Sequence, residues 1–163
     1  MTEQSNASHV VVGVDGSPAS IEAVRWAARY AGMTGADLEA VTSWEPPTSY
    51  GAGLGLGASF DTLDIDWQGM AVTSLNEALV QALPDGHEAV KRSVVCGHPA
   101  AALLAAAKGA DLLVVGSRGH GGFAGMLLGS VSTHLVAHAP CPVVVVRQPT
   151  APADDPAREP VRP

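Results

Sequence analysis

Short apolar runs rich in β-branched residues alternate along this chain with longer segments whose apolar positions recur every three or four residues. The first run, His9-Val-Val-Val-Gly-Val-Asp15, is apolar between its ends and stops in turn chemistry, the pattern of a strand buried on both faces. Ser17-Pro18 then supplies an N-cap residue followed by proline at the first helical position, and Ile21, Val24, Ala28 and Ala31 carry a helical period up to Gly32. Residues 37–44, with Leu38, Ala40, Val41 and Trp44, read as a second strand and complete a βαβ unit. Met70, Val72, Leu75, Leu79 and Leu83 predict a second helix, stopped by Pro84-Asp85-Gly86, and a third strand follows over 88–95. Gly97-His98-Pro99 opens an alanine-rich third helix over 100–107, closed by Lys108 and Gly109. A strand over 111–116, a glycine-rich loop, a helix from about 130 to 137 and a last strand over 142–147 complete the series.

Five strands alternating with four helices imply a parallel sheet covered on both faces, because right-handed crossovers place helices on its two sides. The expected fold is therefore α/β, a doubly wound, Rossmann-like five-stranded parallel sheet. In such sheets ligands bind at the carboxyl ends of the strands, where the winding reverses. The domain is expected over 9–147, after a flexible N-terminus (1–8) and before a flexible, proline-rich tail (148–163) without apolar period. The connection 45–66 holds Gly51, Gly53, Gly55 and Gly57 and is long for a compact domain, which makes it a disordered segment or else a lid or partner contact.

Composition narrows the class. With 47% hydrophobic and 15% charged residues, the 163-residue chain is too apolar for disorder throughout, and no apolar run approaches the roughly 20 residues of a bilayer crossing. Residues 1–8 have no secretory pattern, and Cys96 and Cys141 are too few for a disulfide framework, so a cytoplasmic protein is expected. A formal charge of -7 argues against a nucleic-acid partner.

The chemistry concentrates in the loop after the fourth strand, Gly116-Ser117-Arg118-Gly119-His120-Gly121-Gly122, which leads through Gly125 to Gly129-Ser130-Val131-Ser132. Glycines let backbone N–H groups approach an anion without an intervening Cβ, and a helix starting near Ser130 adds uncompensated amides, so phosphate is the natural ligand. With strand order 3-2-1-4-5, this loop and Asp15-Gly16-Ser17 share one crevice. Asp15 there suits a ribose hydroxyl or a Mg²⁺ ion bridging phosphates; its alternative role is capping beside Ser17. The Walker pattern is missing, and Gly119-His-Gly121-Gly-Phe-Ala124 follows the wrong strand for a dinucleotide fingerprint.

Val-Gly13-Val-Asp15-Gly-Ser17 together with Gly116-x2-Gly119-x9-Gly129-Ser130 resembles the universal stress protein family, and the spacing is that of its ATP-binding subclass. The resemblance implies the 3-2-1-4-5 sheet, ATP as ligand and dimerisation through the last strand. It also implies Gly13 and Asp15 beside ribose and phosphate, Val41 near adenine, residues 116–122 around ribose and phosphates, and Gly129 with Ser130 on the phosphates. Ser17, Val131 and Ser132 complete the expected site. His120 departs from the arginine that related loops often carry. The four valines before Arg147 fit an edge strand that pairs with its copy across a two-fold axis.

Other constellations are weaker. His134 and His138 share a helix face near Cys141, but no further ligand lies close in sequence, and no metal site is assigned. No G-x-S-x-G elbow occurs, and no catalytic residue is assigned. Trp26, Trp44 and Trp67 are expected to pack rather than stack on a base. The sequence thus reads as a nucleotide-responsive binding module taking ATP, with Mg²⁺, as its cofactor. The alternatives are slow ATP hydrolysis or self-phosphorylation on Ser130 or Ser132, or response to cyclic AMP or another adenine nucleotide.

Overall fold

A computed structural model describes residues 8–46, 65–120 and 127–148. The tail beyond Gln148, most of the long connection, and Gly121 and Gly122 therefore lie outside the described residues. Strands β1 (His9–Gly13), β2 (Asp37–Trp44), β3 (Lys91–Cys96), β4 (Leu112–Gly116) and β5 (Val143–Val146) form one sheet in the order β3-β2-β1-β4-β5. Every neighbouring pair is parallel. Helices α1 (Pro18–Thr34), α2 (Trp67–Ala82), α3 (Pro99–Ala106) and α4 (Ser130–His138) cross between them.

The alternation of side chains along each strand sorts the core into two layers. Val10, Val12, Leu38, Ala40 and Val114 pack with Ile21, Val24, Leu75 and Leu79 of α1 and α2. Val11, Val41, Leu113 and Val115 pack with Leu103 and Leu135 of α3 and α4. Two-sided burial explains why β1 and β4 are almost unbroken Val/Leu runs. The tryptophans divide: Trp26 packs against the core and stacks on Tyr30, with ring centroids 5.4 Å apart, whereas Trp44 reaches the rim of a cleft described below.

Two boundaries differ from the sequence reading for physical reasons. Helix α1 does not stop at Gly32 but runs through it to a cap at Gly35, whose N–H bonds the Ala31 carbonyl at 2.8 Å and whose φ of 72° turns the Ala36 N–H back onto the same carbonyl at 3.1 Å. A solvent-facing glycine within a helix costs only about 1 kcal/mol and does not end it, whereas the left-handed cap does. Strand β3 starts at Lys91, because His87–Ala89 form a 3-10 turn that Arg92 holds through the carbonyls of His87 and Val90.

At the amino end of the sheet, Glu39 is buried between three strands. Its carboxylate accepts hydrogen bonds from Ser93 Oγ at 2.5 Å and Lys91 Nζ at 3.0 Å, and pairs with His9 Nε2 at 3.0 Å. Burial opposes ionisation, but the Ser93 and Lys91 hydrogen bonds and the charges of Lys91 and His9 outweigh it and hold the carboxyl below its ordinary value. The stability this depression provides is fully present above the unfolded value of about 4.5 and is lost as pH falls through the lower folded value. Glu39→Gln is therefore expected to cost about 1–3 kcal/mol at pH 7, with the gap to wild type closing below pH 4.5. Urea unfolding between pH 3 and 7 measures this, and a gap that stays constant down to pH 3 contradicts it.

Candidate functional site

β1 and β4 are adjacent, yet the chain leaves them for helices on opposite faces of the sheet, so their carboxyl ends separate and open a crevice. A cleft of about 570 Å³ lies there, within the ~300–1,000 Å³ usual for small-molecule sites. One side is apolar, built from Val41, Pro99, Ala102, Leu103 and Val115. The other is polar, with Asp15, Ser17, Arg118 and Ser130.

Most of the positions expected from the sequence meet on this cleft. Gly13, Asp15, Ser17, Val41, Gly116, Arg118, Gly119, His120 and the run Gly129, Ser130, Val131 and Ser132 all line it. Ser117 does not: it is buried, with its N–H on the Val146 carbonyl and its own carbonyl accepting from Gly129 N–H. Ser132 lines the cleft, but its hydroxyl donates to the Gly116 carbonyl at 2.7 Å, so that hydrogen is already committed. Ser130, in contrast, is exposed in the first turn of α4.

Asp15 takes the local role beside the Ser17 cap and is also open to the cleft. Its Oδ1 accepts from the N–H and Oγ of Ser17, the N-cap of α1, while the carboxylate remains exposed to the cleft. Across the crevice, a Cβ on Gly119 would stand 2.5 Å from Asp15 Oδ2, so a side chain at 119 would have to turn the carboxylate away from its present place.

The helix ends differ in a way that matters for anions. Side chains of Ser17, Asp66 and His98 cap α1, α2 and α3. Helix α4 begins at Gly129 without a side-chain cap, leaving its first-turn amides to face the cleft with the positive end of the helix dipole. Among the described residues the Arg118 guanidinium has no hydrogen-bond or ion-pair partner, and it lines the same end of the cleft.

The sequence reading missed the part of the cleft formed at the carboxyl ends of β2 and β3, where Thr42, Ser43, Trp44, Glu45 and Gly97 lie. The signal was available, because every strand's carboxyl end is a candidate wall in this fold. Register shows what the omission hid. Val41 spends its carbonyl on Val14 N–H at 2.9 Å, and Trp44 directs its carbonyl the other way, to Gly97 N–H at 2.9 Å. Odd-numbered residues of β2 thus turn their backbone groups toward β1. β1 ends at Gly13, opposite Val41, so Ser43 turns its N–H and C=O toward the space that β1 has left.

An open parallel sheet with a glycine-lined cleft where its winding reverses defines a doubly wound α/β protein. Comparison with known proteins gives the particular family: the chain matches the Universal stress protein family over residues 6–147, and it belongs to that family. It is 39% identical over 151 residues to universal stress protein Rv1996 of Mycobacterium tuberculosis, covering 88% of this chain and 45% of that protein. The chain spans about half the length of the curated relatives it matches. Among solved structures, a universal stress protein in complex with cAMP is 31% identical, with a TM-score of 0.61 over 87% of this chain and 98% of that one. UspA from Lactobacillus plantarum shares the fold, with a TM-score of 0.66, 24% identity, and coverage of 86% and 97%. Among the described residues no helix is long and apolar enough to cross a membrane.

Proposed function

We propose that the cleft binds an adenine nucleotide, ATP with Mg²⁺ in the first instance, and that the chain acts as a nucleotide-responsive module in a stress response. The observation that carries this reading is the uncapped amino end of α4 beside an Arg118 guanidinium that has no partner among the described residues, in one cleft with apolar lining residues. Phosphates suit the amides of Ser130 and Val131 and the Arg118 guanidinium. The base suits the slot between Val41, Leu103 and Val115, where the Ser43 N–H and C=O offer a donor and an acceptor to a base edge. Asp15 keeps a carboxylate oxygen for a ribose hydroxyl or for Mg²⁺, which takes one or two carboxylates together with phosphate oxygens. The 31% identical protein solved with cAMP supports an adenine ligand of this class.

Calorimetric titration with ATP·Mg²⁺, AMP, cyclic AMP and GTP tests the reading. Saturable binding of the adenine ligands with GTP at least tenfold weaker is expected, while equal affinity for GTP and ATP contradicts the base assignment.

β5 supports a homodimer through residues 142–147. Leu113 N–H bonds the Pro142 carbonyl and Ser117 N–H the Val146 carbonyl, so even-numbered residues face β4 and Val143 and Val145 direct their backbone groups outward. Val145→Pro removes one outward donor and leaves the β4 ladder intact. Light scattering at micromolar concentration is expected to find a dimer in the wild type and a folded monomer in the variant; a monomeric wild type overturns the pairing.

A further inference from the structure

We infer that His120 is a positioning residue, clasping the β4 loop onto the β1 loop by hydrogen bonding to the Asp15 backbone, and that it does not bind phosphate. The inference rests on the proposed nucleotide site but makes a separate claim about the ligand-free protein. His120 Nε2 lies 3.0 Å from the carbonyl oxygen of Asp15, joining segments 105 residues apart. A carbonyl only accepts, so Nε2 carries the hydrogen and donates it. The Nε2 hydrogen is thereby spent on the backbone and is not offered to a phosphate oxygen.

The surroundings are built for the clasp. Gly16, between Asp15 and Ser17, has a φ of 79°, which turns the chain just beyond the bonded carbonyl, and a Cβ there would lie 3.7 Å from His120 Nε2. Gly119 removes the side chain that would strike Asp15. Ser17 Oγ lies 3.4 Å from the Arg118 carbonyl, a second, longer contact between the same two segments. Once the backbones of Asp15 and Arg118 are held across the crevice in this way, their side chains start from fixed Cα positions on its two sides.

The test compares His120→Ala with His120→Gln, because the glutamine amide nitrogen reaches about as far as Nε2 and restores a neutral donor. In the ligand-free protein, hydrogen exchange at the amides of Asp15 and Ser17, which bond Ser20 Oγ and Asp15 Oδ1, is expected to accelerate about tenfold in the alanine variant and to return toward wild type in the glutamine variant. ATP·Mg²⁺ affinity is expected to fall about tenfold in the first and less than threefold in the second. Unchanged exchange in His120→Ala overturns the clasp, whatever happens to affinity. If the wild type binds no nucleotide, the exchange arm still decides the clasp, and only the functional reading fails.

Discussion

Gly116→Ala is expected to destabilise the protein by about 3 kcal/mol, the upper end of overpacking penalties, and to lower the melting temperature by roughly 6–12 °C for a chain of this size. A Cβ at this position would stand 2.7 Å from the carbonyl carbon of Ala19, 2.9 Å from its Cβ and 2.9 Å from the Ser20 nitrogen. Two of those atoms are backbone in the first turn of α1, so relief requires moving the helix against the sheet. Gly13→Ala provides the comparison. Its Cβ would meet the Leu103 Cδ1 at 2.9 Å, the end of a flexible side chain that can turn aside, so a smaller loss is expected. The missing Cβ at 116 also has a functional consequence: it lets the amino end of α1 sit against the exit of β4, which brings Asp15 and Arg118 to one cleft. Thermal or urea unfolding of both variants measures the difference, and a Gly116→Ala protein as stable as wild type contradicts the geometry.

Gly129→Glu is expected to remove nucleotide binding, by at least about 100-fold in affinity, while leaving the fold intact. Gly129 has a φ of -74°, which any residue adopts, and a Cβ there meets the Arg118 Cα at 3.5 Å, an ordinary contact. The new carboxylate would sit at the uncapped amino end of α4, beside Arg118. It would then take the helix amides and the guanidinium for itself, and two like charges, carboxylate and phosphate, would compete for one site. The helix should gain slightly, since an acidic residue at a helix N-terminus contributes about 0.3–1 kcal/mol. Loss of affinity without loss of melting temperature is thus the signature, read by calorimetry and circular dichroism. Retained affinity in a folded variant contradicts the placement of phosphate.

How far the sequence reveals this molecule depends on which interactions dominate at each place. Strand residues buried on both faces, such as Val10 to Val12 and Leu112 to Val115, leave a compositional mark that survives without tertiary knowledge. The Ser17-Pro18 helix start is equally local and is found where the residues indicate. Features that depend on partners distant in sequence are less legible. Gly32 and Gly35 look alike until φ distinguishes a tolerated glycine from a capping one. Val41 marks the right strand at the cleft, but only the pairing register reveals that its carbonyl is taken by Val14 and that Ser43 follows on the free side. Ser132 and His120 carry groups that suit phosphate, yet each hydrogen-bonds a backbone carbonyl elsewhere in the chain, Gly116 for one and Asp15 for the other. The glycines at 116 and 119 are legible as a close approach, but that a Cβ would also meet the first turn of α1 at one and the Asp15 carboxylate at the other depends on the tertiary fold.

Whether this cleft holds an adenine nucleotide is decided by the melting temperature of the purified wild type with and without ATP·Mg²⁺. A ligand at ~100 times its Kd stabilises by roughly 2.7 kcal/mol, which corresponds to about 5–10 °C here. A rise of that size is expected with ATP in the wild type and none in Gly129→Glu. An unchanged melting temperature at millimolar ATP, or an equal rise in both proteins, contradicts it.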